Sequence, residues 1–143
     1  MKSNSFVRQL DWLDRLNNDD ELFEREFKNI RDIYPIKNCG WVHDFLEEKR
    51  GLVIVLNEIR PLLKEHVPYA FVRIELDMDP IFVPQLLLIV RAPEFEFDNG
   101  FRDDIRKINS SIEPLLISLD LSIDFFIFKG MYRNKYGGYC QVH

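Results

Sequence analysis

The period of the apolar positions changes several times between Tyr69 and Phe128, and each change predicts an element. From Tyr69 to Met78 apolar and polar residues alternate, with Ala70, Val72, Ile74, Leu76 and Met78 on one face. Arg73, Glu75 and Asp77 share the other face with Tyr69 and Phe71, as in a half-buried strand. Asp79-Pro80 ends the ladder, because proline has no N–H to donate. Gln85–Val90 is apolar on both faces, which predicts a central strand covered on each side. Phe101, Ile105, Ile108, Ile112 and Leu115 then follow helical spacing, with Asp98 or Asn99 as cap and Pro114 as a kink or an end. Leu121–Phe128 is rich in β-branched and aromatic residues and reads as a third strand, with Ser122 and Asp124 together on its exposed face. The Arg91–Gly100 connection, containing Pro93, is expected to be a mobile loop exposing Phe95 and Phe97.

Upstream, the spacing is helical throughout. Phe6, Leu10 and Leu13 predict a helix ending near Asn17-Asn18. Asp19 or Asp20 starts a second helix, whose acidic first turn complements the helix dipole. Phe23, Phe27, Ile30 and Tyr34 form its stripe, and Pro35 stops it. Cys39-Gly40 reads as a turn, Trp41, Phe45 and Leu46 as a helical turn or two, and Gly51 as a break. Leu52, Leu56, Ile59 and Leu63 give another helical stripe, kinked if Pro61 lies within it. Leu52–Leu56 alone would also suit a strand, but the stripe continues through Ile59 and Leu63 and favours a helix. The pattern therefore predicts a single α+β domain over residues 1–143. N-terminal helices are followed by a strand-strand-helix-strand unit forming a small mixed sheet of about three strands, and residues 129–143 form a basic, tyrosine-rich tail.

Composition narrows the function classes. The net charge is −5, and residues 129–143 hold Lys129, Arg133 and Lys135 without an acid, so the rest of the chain is more acidic still. An acidic body argues against broad phosphate-backbone binding and leaves nucleic acid only the tail. Two cysteines, Cys39 and Cys140, form neither a disulfide framework nor a metal knuckle, which fits reduced thiols in the cytoplasm. The N-terminus lacks the apolar stretch of a signal peptide, and no apolar run approaches the roughly 20 residues that span a bilayer.

Candidate chemistry is sparse. Glu75 and Asp77 project from one strand face, joined by Asp79 if the strand persists, and could hold a hard cation, although a solvated face that discourages edge pairing, with Arg73 beside them, explains them better. Asp124 stands in an apolar strand and needs either exposure or a partner. Cys39 and His43 could pair to activate a thiol. The tail alternates basic residues with Tyr132, Tyr136 and Tyr139, which suits stacking on bases or on a partner. No glycine-rich phosphate loop, zinc pattern or nucleophile elbow is present, and no cofactor is implied. A small sheet with apolar helices favours a non-catalytic interaction module, a homo-oligomer or a binder of another protein. Its contact residues would be Phe95, Phe97, Tyr132, Tyr136 and Tyr139, or the first helices. The alternative is a metal-dependent enzyme acting on nucleotides or phosphates through Glu75, Asp77, Asp79 or Asp124.

The order helix, strand, strand, helix, then a strand containing Ile123-Asp124-Phe125-Phe126-Ile127, resembles small nucleotidyltransferases over about Leu52–Phe128. The resemblance implies a similar fold and sets Asp124 at the third-strand aspartate. No Gly-Ser turn follows Leu76, however, and Pro84-Gln85-Leu86-Leu87 offers no acids where that family binds two metals. Asn57–Pro80, a leucine-rich helix, a proline and a strand ending in Asp-Pro, also resembles a family of small uncharacterised prokaryotic proteins, which implies no activity.

Overall fold

The computed structural model describes residues 2–78, 83–132 and 140–141, with side chains for 8–78 and 83–132. Among the described residues the helices are α1 (Lys2–Asn18), α2 (Asp20–Ile33), α3 (Cys39–Glu48), α4 (Gly51–His66), α5 (Glu94–Asp98) and α6 (Phe101–Ser118). The strands are β1 (Phe71–Asp77), β2 (Gln85–Ala92), β3 (Phe125–Met131) and the two-residue β4 (Cys140–Gln141). The sheet runs β3-β2-β1-β4. β1 pairs antiparallel with β2 and β4, while β2 pairs parallel with β3, so the sheet is mixed. The parallel pair needs a crossover, and α5 and α6 supply it. The chain is an α+β domain.

α4 is the pivot of the packing. Gly51–Leu56 is buried without interruption, followed by Ile59 and Leu63, so this helix is apolar nearly all round at its start. α1, α2, α3 and α6 all pack on it. The approach is close at Gly51, where an added Cβ would lie 2.9 Å from a Leu121 methyl and 3.4 Å from one of Leu13. Pro61 sits inside α4 and Pro114 inside α6, and neither ends its helix. The carbonyls that each proline leaves without an N–H partner belong to Asn57 and Ser110, both exposed, so water can satisfy them. The buried Tyr34 hydroxyl donates to the Leu56 carbonyl at 2.8 Å, tying the end of α2 to α4, and burial pushes this phenol's pKa far up.

Local chemistry explains the boundaries. The expected helix start at Asp19 or Asp20 resolves to Asp20, and the Asp19 side chain caps α2 by accepting from the Leu22 N–H at 3.0 Å. Arg50 lies over the Phe23 ring, donates to the Leu16 carbonyl at 2.7 Å and pairs with Asp20 at 2.6 Å, joining α1 to α2. In α1 the buried side is Leu16 with the half-buried Trp12 and Leu13, while Leu10 is exposed and Phe6 lies outside the described side chains. Cys39-Gly40 is not a turn but the start of α3, and the turn falls on Asn38 in the left-handed region. Trp41 points outward, and Val42, Phe45 and Leu46 face the core. The expected loop after Ala92 is instead the short helix α5, and Gly100 at φ 103°, rather than Asp98 or Asn99, precedes α6.

One face of the sheet meets the helices. Val72 and Ile74 of β1, Leu86, Leu88, Val90 and Ala92 of β2, and Phe125 and Ile127 of β3 all join the same core. The register sets Ile74 beside Leu88 and Leu88 beside Ile127. Ile89 is also buried, but it lies on the opposite face and apart from that core. The far edge of β1 is covered, since β4 pairs at Phe71 and Val72, and the Ile74 N–H and C=O bond to Pro35 and Lys37. β3 forms the other edge. Leu56→Ala is expected to cost about 2–5 kcal/mol in urea denaturation, whereas Leu10→Ala should stay within about 0.5 kcal/mol of the parent because its side chain lies outside the packing.

Candidate functional site

The three described candidate carboxylates, Glu75, Asp77 and Asp124, do not converge on one site. Glu75 and Asp77 stand on the sheet face opposite the helices, where the Arg73 guanidinium pairs with Glu75 at 3.2 Å. Asp79 lies outside the described residues. Asp124 is not on an exposed strand face. β3 begins only at Phe125, and Leu121–Asp124 is a turn entered through Asp120 in the left-handed region. That turn folds the Asp124 side chain inward, leaving the residue 3% exposed, and Lys49 at the end of α3 reaches it at 3.2 Å. The Asp124 carbonyl accepts from the Leu86 N–H at 2.8 Å, which fixes the start of the β2–β3 ladder. Its neighbours thus give Asp124 a structural role, holding the β3 turn against α3.

The described aromatic candidates also separate. Phe95 is exposed on α5, but Phe97 packs on Phe101 with ring centroids 5.9 Å apart and faces the core. The Tyr132 ring stacks on Phe71 at 3.9 Å and 14°. Tyr136 and Tyr139 lie outside the described side chains. The most exposed aromatic pair on a strand is one the sequence reading did not single out. Phe126 and Phe128 of β3 are 52% and 44% exposed, and Ile123 just before them is also exposed. Alternation along β3 had sent Phe125 and Ile127 inward, so the intervening phenylalanines must point the other way. Period-two alternation was the signal that could have found them.

A second constellation joins α2 to α3. The His43 ring meets Phe23 and Phe27 edge-on, with centroids 5.6 and 4.8 Å away, which fixes its plane. Its Nε2 lies 2.7 Å from Glu24 Oε1 and its Nδ1 3.1 Å from Asp44 Oδ1. Both nitrogens are therefore engaged by carboxylates, and Cys39 is not the partner of His43. Glu47, one turn further along α3, brings a third ligand-type oxygen, and single atoms of Glu24, His43 and Glu47 all lie within 4.8 Å of one another. Burial pulls the His43 pKa down, but the hydrogen bonds to Glu24 and Asp44 and the fields of Glu24 and Glu47 outweigh it, so the imidazole sits above its ordinary 6.5. The His43–Glu47 spacing was visible in the sequence, whereas Glu24 enters only through tertiary packing.

Two shallow hollows also lie among the described residues. One is lined by Trp41, Phe45, Glu48, Leu76, Met78 and Pro84, and the other by His66, Arg106, Lys107 and two serines, with Asp103. Both are open to solvent and neither gathers a catalytic set.

Removing the counter-ion of Asp124 gives a direct test of its role. Lys49→Met is expected to destabilise the fold by about 1–3 kcal/mol, less than the about 3–5 of a fully buried pair because the lysine is partly exposed. Asp124→Asn should cost less than Lys49→Met, since the charge it leaves unpaired is the partly exposed Lys49 rather than a buried carboxylate, and added magnesium should leave the melting temperature of the native protein unchanged. No helix among the described residues is long and apolar enough to cross a membrane. Comparison with family models gives no match, and neither do comparisons with curated proteins and with solved structures.

Proposed function

We propose that this chain is a non-catalytic protein-interaction module that self-associates through β3, the open edge of its sheet, and works in the cytoplasm. The observation that carries the reading is the exposure of Phe126 and Phe128 on an edge strand whose alternate residues are buried. Exposed aromatic residues of this kind, flanked here by the exposed Ile123, mark partner surfaces.

A second copy of the chain suits this surface. The Asp124 carbonyl and the Tyr132 N–H both point to β2. By strand alternation the N–H and C=O groups of Phe125, Ile127 and Lys129 are directed away from it. A two-fold axis beside Ile127 then sets two β3 strands antiparallel and places Phe126 of one protomer against Phe128 of its partner. Aromatic cross-strand pairs of that kind are favourable. The only charge in β3, Lys129, falls opposite the partner's Phe125 rather than another lysine, so the symmetric arrangement has no direct charge clash. The isologous contact closes after one partner, as a two-fold interface must.

The rival reading, a metal-dependent enzyme on nucleotides or phosphates, gains little from the geometry, since Asp124 is committed to Lys49 and Glu75 to Arg73.

Sedimentation velocity tests the proposal. The native protein is expected to show twice the chain mass at micromolar concentration, and Phe126→Asp with Phe128→Asp should give a folded monomer with an unchanged far-ultraviolet circular dichroism spectrum. A native monomer, or a dimer indifferent to both substitutions, would overturn it.

A further inference from the structure

We propose that Glu24, His43 and Glu47 form a binding site for a divalent transition-metal ion of the zinc type, bridging α2 and α3. The site does not depend on the self-association reading, because it lies on helices rather than on β3.

Three features carry the assignment. First, the donor set is one imidazole and two carboxylates, which suits zinc-like ions, whereas magnesium prefers oxygen ligands alone. Second, the donors already converge. Around an ion with bonds of about 2.1 Å, tetrahedral ligand atoms stand about 3.4 Å apart. Here the three ligating atoms lie within 4.8 Å of one another, and His43 Nε2 and Glu24 Oε1 are 2.7 Å apart. Both glutamates are exposed, so nothing packed around them holds their carboxylates in place, and Glu24 Oε1, at 2.7 Å from Nε2, has only to open slightly. Third, the ring is oriented before any ion arrives. Phe23 and Phe27 fix the plane of His43, Asp44 at 3.1 Å accepts from Nδ1–H, and Nε2–H donates to Glu24 at 2.7 Å, a proton that an incoming ion displaces. A carboxylate on the far nitrogen is the usual outer support of a metal-bound histidine, since it selects the tautomer and raises the ring's basicity. His43 and Glu47 sit four residues apart on one helix face, a spacing that presents two ligands together. Three protein ligands leave a fourth position for water or for a group from outside the chain.

The test is a titration of tag-free protein with Co2+, followed by visible absorption, beside a Zn2+ thermal-shift series. One Co2+ per chain should bind with the intense visible bands of four-coordinate cobalt, and Zn2+ should raise the melting temperature and compete it away. Glu24→Gln and Glu47→Gln, both exposed and nearly isosteric, should each weaken Co2+ binding at least about tenfold while keeping the metal-free melting temperature. His43→Gln should abolish the bands, and Cys39→Ser should bind as the native protein does. Absence of saturable Co2+ binding, native-like affinity in both glutamine variants, or loss of binding in Cys39→Ser would overturn the assignment.

Discussion

The apolar first half of α4 is the constraint on which the rest of the molecule depends. Six consecutive residues, Gly51–Leu56, are removed from water. An amphipathic helix can be served by one neighbour, but a helix apolar nearly all round must be enclosed. That need accounts for the architecture. α1 and α2 close one side, α3 returns to cover the start of α4, and α6 packs along it. The helices thereby present an apolar surface to one face of the sheet, and the buried row through Val72, Ile74, Leu88, Val90, Phe125 and Ile127 completes the core. Arg50 and Tyr34 fasten the enclosure at carbonyls near its ends, those of Leu16 and Leu56.

Placing all the large helices around α4 has a consequence at β3. Its inward residues are secured by the core and by the Asp124–Lys49 pair at the preceding turn, yet Phe126 and Phe128 project away from that core. The opposite edge is closed by β4 and by the Pro35–Lys37 segment bonded to Ile74, so among the described residues the edge left unpaired and the exposed aromatic residues coincide. A free strand edge is normally blunted by charge, proline or cover. β3 has only Lys129 for that purpose, and a second copy would supply the cover.

Much of the fold was legible in the sequence because its strongest signals were periodic. The stripe Phe23, Phe27, Ile30 and Tyr34 and the stripe from Phe101 to Leu115 are buried as the spacing predicts, and β1 alternates as its residues require. Failures fell where one residue had to choose between two local roles. Pro114 was expected to kink or end its helix and Pro61 to kink its own if it lay inside; both stand inside helices that continue past them, because an exposed proline whose lost carbonyl partner faces water is tolerated. The run from Leu121 to Phe128 has strand composition throughout, and only the left-handed Asp120 and the lysine reaching in from α3 show that its first four residues are a turn. Asp124 could not be placed from its own strand because its partner is 75 positions away in the chain, at Lys49. The same holds for Glu24 and His43, which meet only once α2 and α3 are packed.

Hydrogen exchange measured by mass spectrometry, at two protein concentrations well apart, tests most directly whether β3 is an interface. The account predicts that amides of Phe125–Met131 exchange more slowly as concentration rises, while those of α1 and α2 do not change. Exchange in β3 that is independent of concentration, or protection appearing instead on the first helices, would contradict it.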